Sequence, residues 1–161
     1  MYIPFDQLPS QARIWIYQAS RPLTETEQTE IKPVLERFAT EWSSHGKGLQ
    51  SSATLLHGRF LVLANNEEAT TASGCSIDAS VRFVRELEQQ LGISFMDRTQ
   101  LAFLNEGEEV ELISMPELKA KVATGDINRN TLYFDTLITN YGELQQAWPR
   151  PAGNSWLSRY F

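Results

Sequence analysis

The feature that most constrains the fold is a two-residue link, His57-Gly58, between two short apolar runs at 52–56 and 59–64. An Xaa-Gly pair between such runs is typical of a tight β-hairpin, because glycine adopts positive φ angles without strain. Parallel strands need a crossover of a dozen or more residues, so these two strands are predicted to pair antiparallel. The link therefore favours an α+β fold over a doubly wound parallel sheet.

A strand and a helix are predicted before this hairpin. Residues 12–17 are rich in β-branched and aromatic side chains, which indicates a strand. Thr24 and Glu27 have the spacing of a capping box, in which a hydroxyl and a carboxylate satisfy backbone amides at a helix start. Apolar residues then recur at helical spacing over 31–42, although Pro33 requires either a kink or a later helix start.

A second helix and a fourth strand are predicted after the hairpin. Ser76 is the expected N-cap of the helix and Gly92 its C-terminal stop, and the strand covers 99–104. The order β-α-β-β-α-β is that of the ferredoxin-like fold, an antiparallel sheet with two helices on one face. We therefore predict a ferredoxin-like α+β core.

The rest of the chain predicts a β-α-β extension and an aromatic tail. The expected elements are strands at 109–113 and 131–137, helices at 115–123 and 141–148, and the tail at 154–161.

A length of 161 residues suits one domain. We therefore predict a single globular domain, 1–161, with a core at about 12–104 and an extension at about 105–161.

Charge and hydropathy exclude several classes of protein. The 14 Lys and Arg against 20 Asp and Glu give a net charge of −6, which argues against nucleic-acid binding through phosphate neutralisation. A single cysteine excludes an internal disulfide. The start of the chain lacks the pattern of a signal peptide, and the longest apolar run, 60–64, is far shorter than the roughly 18 residues that span a bilayer. We expect a cytoplasmic protein without membrane insertion.

The most distinctive local segment is Ser73-Gly74-Cys75-Ser76, at the predicted start of the second helix. Free backbone amides and the helix dipole favour anions at such a position. One interpretation is therefore a candidate site for a small anionic ligand.

Cys75 offers a second interpretation, because a helix N-terminus also favours a thiolate. His45 or His57 would then be candidate general bases, if either lies near the thiol. A third interpretation is structural: cysteine is among the residue types most often buried, and Cys75 would simply pack at the helix start. All three interpretations remain open at this stage.

The C-terminal aromatic residues Trp148, Trp156, Tyr160 and Phe161 have two interpretations. Aromatic residues are enriched at binding hot spots, so they are candidates for an interface. Such a tail more often folds back over a core, and we favour this second interpretation.

No metal site or cofactor is predicted. The sequence has no C-x-x-C motif, and its two histidines are too few for a convincing zinc site. Glu106, Glu108, Glu109 and Glu111 form an acidic hairpin, but alternation with apolar residues indicates a solvated strand face.

Several segments together resemble a family of bacterial proteins of about this length. They are MYIPFDQLP at 1–9, ARIWIYQ at 12–18, HGK at 45–47, ASGCSID at 72–78 and SW at 155–156. The family is uncharacterised and often carries the label "ABC transporter ATPase". The resemblance implies a compact bacterial cytoplasmic domain and supplies no catalytic residues.

The label itself requires motifs that the sequence lacks. A Walker A loop has the pattern G-x4-G-K-[ST], whereas Glu41 occupies the first glycine position before Gly46-Lys47, and Gly48 follows. A Walker B carboxylate and an LSGGQ-type signature are also not found. An ATP-binding transporter subunit therefore ranks last among the hypotheses.

The leading hypothesis is a non-enzymatic domain that binds a protein partner or a small anionic ligand, with homo-oligomerisation left open. The alternative is a thiol-dependent enzyme or redox protein that uses Cys75.

Overall fold

The computed structural model describes residues 1–161 and shows a mixed α+β architecture with four α-helices and antiparallel sheets. The predicted α+β class is therefore confirmed. The chain divides into two compact units, one formed by Met1–Met96 with Thr136–Glu143 and the other by Asp97–Asp135 with Leu144–Phe161. None of the helices combines the length and apolarity needed to cross a membrane.

The first unit contains five strands and two long helices. In chain order they are β1 (Arg13–Gln18), α1 (Glu25–Glu41), β2 (Ser43–Ser44), β3 (Lys47–Gly48), β4 (Ser51–Leu56), β5 (Phe60–Asn65) and α2 (Gly74–Leu91). The main sheet has the order β1-β5-β4 and is antiparallel throughout, while β2 and β3 form a small separate hairpin.

The hairpin between β4 and β5 confirms the strongest sequence prediction. His57 and Gly58 both have positive φ angles, 53° and 64°, and the Arg59 amide donates to the Leu56 carbonyl at 3.1 Å. Leu56 pairs with Phe60, so the turn is one residue longer than the sequence indicated.

The capping box at the start of α1 is also confirmed. The Glu27 amide donates to Thr24 Oγ1 at 3.1 Å, and the Thr24 amide donates to Glu27 Oε1 at 2.9 Å. The helix begins at Glu25 and includes Pro33, so the alternative of a later helix start is wrong.

Both helices contribute to one apolar core in the first unit. Buried residues of α1, such as Ile31 and Leu35, belong to the same cluster as Val84 of α2 and as Ala53 and Leu63 of the sheet. This cluster fixes α1 against β4 and thereby shapes the surface between them.

The single ferredoxin-like sheet is not confirmed, because its predicted fourth strand lies elsewhere. That strand, β6 (Gln100–Leu104), forms a hairpin with β7 (Val110–Ser114) in a second sheet. Beside β1, the Ile14 amide instead donates to the Thr139 carbonyl at 3.0 Å. The physical reason is that β6 pairs locally with the strand that follows it.

The second unit contains this hairpin, α3 (Met115–Thr124), β8 (Leu132–Tyr133) and β9 (Arg150–Pro151), with the sheet order β7-β6-β8-β9. The strand predicted at 131–137 is thus only two residues long.

The last helix, α4 (Tyr141–Gln146), is shorter than the predicted 141–148. The aromatic tail forms two short 3-10 helices, Ala152–Asn154 and Trp156–Tyr160.

Candidate functional site

The start of α2 is built differently from the sequence prediction. Ser73, not Ser76, is the N-cap, and its Oγ accepts the Ser76 amide at 3.2 Å. The Ser76 side chain is buried and donates to the Ser73 carbonyl at 2.8 Å. The two serines therefore satisfy each other, which corrects the assignment of Ser76 as the cap.

Neighbouring groups close this helix start further. Glu67 Oε2 accepts the Ala72 amide at 3.3 Å, which places a carboxylate just before the N-cap, and Glu67 Oε1 lies 3.5 Å from Arg13 Nη1. On the inner side, Trp42 Nε1 donates to the Ser76 carbonyl at 2.8 Å. Of the four residues of the candidate anion site, Gly74 and Cys75 are exposed, and their amides take no part in the cap.

Cys75 is exposed, so the interpretation of a buried packing residue is wrong. Its sulfur has no hydrogen-bond partner, and no histidine nitrogen therefore lies within hydrogen-bonding distance of it. His45 and His57 instead lie in two tight turns, with φ angles of 51° and 53°. The structure does not assemble a thiol with a hydrogen-bonded base.

The four aromatic residues of the C-terminal segment differ in exposure. Tyr160 and Phe161 pack against the core of the second unit, and Trp148 Nε1 donates to the Asp135 carbonyl at 3.0 Å. Trp156 is 38% exposed, and its Nε1 donates to the Tyr133 hydroxyl at 3.1 Å. An interface formed by these residues stays a prediction, in which Trp156 would supply the accessible surface.

The acidic hairpin points its carboxylates to solvent. Glu106, Glu108, Glu109 and Glu111 are all exposed, and Glu111 lies 3.5 Å from Lys121 Nζ. No cluster of three or more His, Cys, Asp and Glu side chains has the geometry to hold a metal ion.

A groove on the first unit is the feature that the sequence did not indicate. It has a volume of about 400 Å³ and lies between α1 and the edge strand β4. Its apolar lining comes from Ile31 and Leu35 of α1 and from Ala53 and Leu55 of β4, all of which pack in or against the core. A volume of this size is within the range of binding pockets.

Polar side chains and two aromatic rings complete the groove. Thr29 and Lys32 of α1 are exposed at its margin, while Tyr2 and Phe5 come from the N-terminal segment. Burial raises the pKa of Tyr2, and the carboxylates of Glu36 and Asp6 raise it further. The Tyr2 phenol is therefore neutral at pH 7 and can donate or accept a hydrogen bond.

After Ser51, the backbone of β4 makes hydrogen bonds only on the side that faces β5. The N-terminal segment runs parallel to β4 at Ser51, where the Ile3 amide donates to the Ser51 carbonyl at 2.8 Å and the Ser51 amide donates to the Met1 carbonyl at 3.0 Å. Backbone groups alternate in direction along a strand, so those of Ala53 and Leu55 also point away from β5. Neither residue has a hydrogen bond outside the sheet.

The N-terminal segment does not continue this pairing. In this parallel register the next donor to β4 would be the Phe5 amide, to the Ala53 carbonyl, but that hydrogen bond is not formed. The chain then turns into a 3-10 helix at Phe5–Gln7. The edge of β4 is therefore left unpaired where it borders the groove.

Comparison with known proteins adds no further constraint. No family model, no curated protein and no solved structure matches this chain, so its function has to be inferred from its own residues.

Proposed function

We propose that this chain is a non-enzymatic binding module that recognises a protein partner through the groove between α1 and β4. The observation that carries the proposal is the groove itself, about 400 Å³ in volume and lined by Ile31, Leu35, Ala53 and Leu55. Leu55 is partly exposed there, while Ile31, Leu35 and Ala53 form the buried floor, and a concave site with an apolar lining is typical of binding sites.

A protein partner fits the structure better than a small anion. At the start of α2, the Ser76 amide is taken by Ser73 and the Ala72 amide by Glu67. The Glu67 carboxylate beside this helix start, ion-paired with Arg13, leaves no excess positive charge there to attract an anion. The groove at β4, in contrast, offers apolar area, which supplies most of the free energy in protein association.

The thiol-dependent alternative rests on the exposure of Cys75. It would need a base that approaches the thiol only when substrate is bound, since none is hydrogen-bonded to it in this structure. Replacement Cys75→Ser tests it: a thiol-dependent activity is abolished, whereas binding through the groove is unchanged.

The groove is tested by selecting a displayed library of random peptides on the folded protein. The peptide most enriched is then synthesised with a fluorescent label, and its affinity is measured by anisotropy. Thr29→Trp places a large ring at the margin of the groove, and we expect it to weaken binding about tenfold or more, which corresponds to roughly 1.4 kcal/mol.

Thr26→Trp is the matched control. Thr26 is an exposed threonine of the same helix and does not line the groove, so its replacement is expected to leave the affinity unchanged. The proposal is wrong if no peptide is enriched over background, or if Thr29→Trp and Thr26→Trp bind the peptide equally well.

A further inference from the structure

The edge of β4 determines which kind of partner the groove can take. We infer that the groove binds an extended peptide segment by strand addition, in which the segment pairs with the backbone of Ala53 and Leu55 and places an apolar side chain against Ile31 and Leu35. This inference rests on the proposed function and specifies its mode of recognition.

The first support is the hydrogen-bonding capacity of the edge. Ala53 and Leu55 together present two amide donors and two carbonyl acceptors on the side of β4 that faces away from β5. A helix cannot satisfy these groups, because its own backbone groups are already paired. An extended chain satisfies all four, since its donors and acceptors repeat at the same two-residue spacing.

The second support is that this edge already accepts an extended segment. Residues 1–3 make two backbone hydrogen bonds to Ser51, of 2.8 and 3.0 Å. The pairing then ends, because the chain enters the 3-10 helix Phe5–Gln7 and the Phe5 amide makes no hydrogen bond to the Ala53 carbonyl. A partner strand would therefore begin where the chain's own segment stops.

The third support is the side-chain environment next to the edge. Alternate residues of an added strand point to the same face of the sheet as Ala53 and Leu55, and on that face α1 contributes Ile31 and Leu35. Thr29 and Lys32 border the same space and are exposed. The site therefore combines backbone pairing with an apolar pocket for one side chain, as strand-addition sites do.

The test uses the peptide selected on the folded protein and replaces its backbone amides one at a time by N-methyl amides. Strand addition predicts a period of two: N-methylation weakens binding about fivefold or more at alternate positions, where the amide faces β4, and has little effect at the positions between them. The intervening positions are the internal control. A uniform or absent effect would overturn strand addition.

A protein variant gives an independent measurement. Ala53→Pro removes the outward amide, and proline is tolerated at such positions of edge strands. We expect it to weaken the peptide about tenfold or more while circular dichroism and the melting temperature show a folded protein. If this variant does not fold, the N-methyl series on the unmodified protein still decides the question.

The outcomes separate the two proposals. A peptide that is sensitive to Thr29→Trp but shows no two-residue period would leave the groove as a binding site and refute strand addition. A peptide insensitive to Thr29→Trp would refute the groove itself. A concentration-dependent dimer that Ala53→Pro abolishes would identify a second copy of this chain as the occupant and overturn the assignment to a different partner.

Discussion

The start of α2 and the edge of β4, both in the first unit, each carry backbone groups that lie outside helix or sheet pairing, but they differ in how those groups are satisfied. At α2, the hydroxyl of Ser73 accepts the Ser76 amide, and Glu67 accepts the Ala72 amide. At β4, the amides and carbonyls of Ala53 and Leu55 have no such partners. The first region is largely satisfied by its own side chains, and the second is left unpaired.

This difference shows that a distinctive sequence need not mark a binding site. The small and hydroxylated residues around Cys75 are the ones that complete the helix cap, so the same composition that indicates an anion site also fills it. The open region has no side-chain motif, because its capacity comes from backbone groups and from the register of a neighbouring segment. Variants at the helix caps and at β4 test this difference.

The largest effect is expected at Trp42, which supports the start of α2 from the inside. Its side chain is buried, contacts Trp15 and Phe38, and donates to the Ser76 carbonyl at 2.8 Å. We expect Trp42→Ala to lower the free energy of unfolding by about 3–5 kcal/mol, measured by urea denaturation. Trp42→Phe keeps most of the packing and loses the hydrogen bond, so it should cost about 1 kcal/mol.

If Trp42→Ala lowered the free energy of unfolding no more than Trp42→Phe does, the indole ring of Trp42 would not be packed as the structure shows. That result would contradict the role of Trp42 in supporting the start of α2.

A smaller effect is expected when the cap of α2 is removed. Ser73→Ala should lower the free energy of unfolding by about 1 kcal/mol, whereas Ser73→Asp, which can also accept the Ser76 amide, should be close to neutral. Because the cap already occupies this position, inorganic phosphate should not raise the melting temperature of the unmodified protein. A rise that saturates at low phosphate concentration, is absent with the same concentration of sulfate, and is lost in Ser73→Asp would show an anion site at α2 and reverse the comparison.

The smallest effect is expected at the start of α1, where the cap includes a carboxylate. The hydrogen bonds from Arg21 and then from the Thr24 amide lower the pKa of Glu27 from 4.5 to about 2. Because the pKa of Glu27 is lower in the folded state than in the unfolded state, its carboxylate stabilises the folded protein at any pH above about 4.5. This stabilisation is lost as the pH falls from about 4.5 towards 2. The melting-temperature difference between the unmodified protein and Glu27→Gln should therefore shrink over this range.

The cap of α2 is the control for this titration. Its hydroxyl does not ionise, so the cost of Ser73→Ala should stay constant over the same pH range. A cost for Glu27→Gln that is equally constant would show that the carboxylate does not contribute as a charged group.

Local features of the fold were predictable from the sequence, and features that depend on distant segments were not. The turn at His57-Gly58 and the box at Thr24 and Glu27 are formed within a few residues, so their spacing carries the information. The partner of β6 could not be read in this way, because pairing with β7 competes with pairing at the edge of β1, and the local hairpin prevails.

The candidate site shows the same limit. The cap is Ser73 rather than the predicted Ser76 because both serines suit the start of a helix, and the sequence alone does not show that Ser76 is buried with its carbonyl bonded to Trp42. The groove depends on the N-terminal segment, which pairs with Ser51 over residues 1–3 and then enters the 3-10 helix Phe5–Gln7. Which strand this segment pairs with becomes known only from the folded chain.

The most direct test of the open edge is residue-resolved amide hydrogen exchange along β4, measured by NMR on the protein without any ligand. We expect an alternating pattern: the amides of Ala53 and Leu55 exchange about tenfold or more faster than those of Ser52 and Thr54, which donate within the sheet. Equal protection of all four amides would mean that the outer side of β4 is already paired, and would contradict the proposed site.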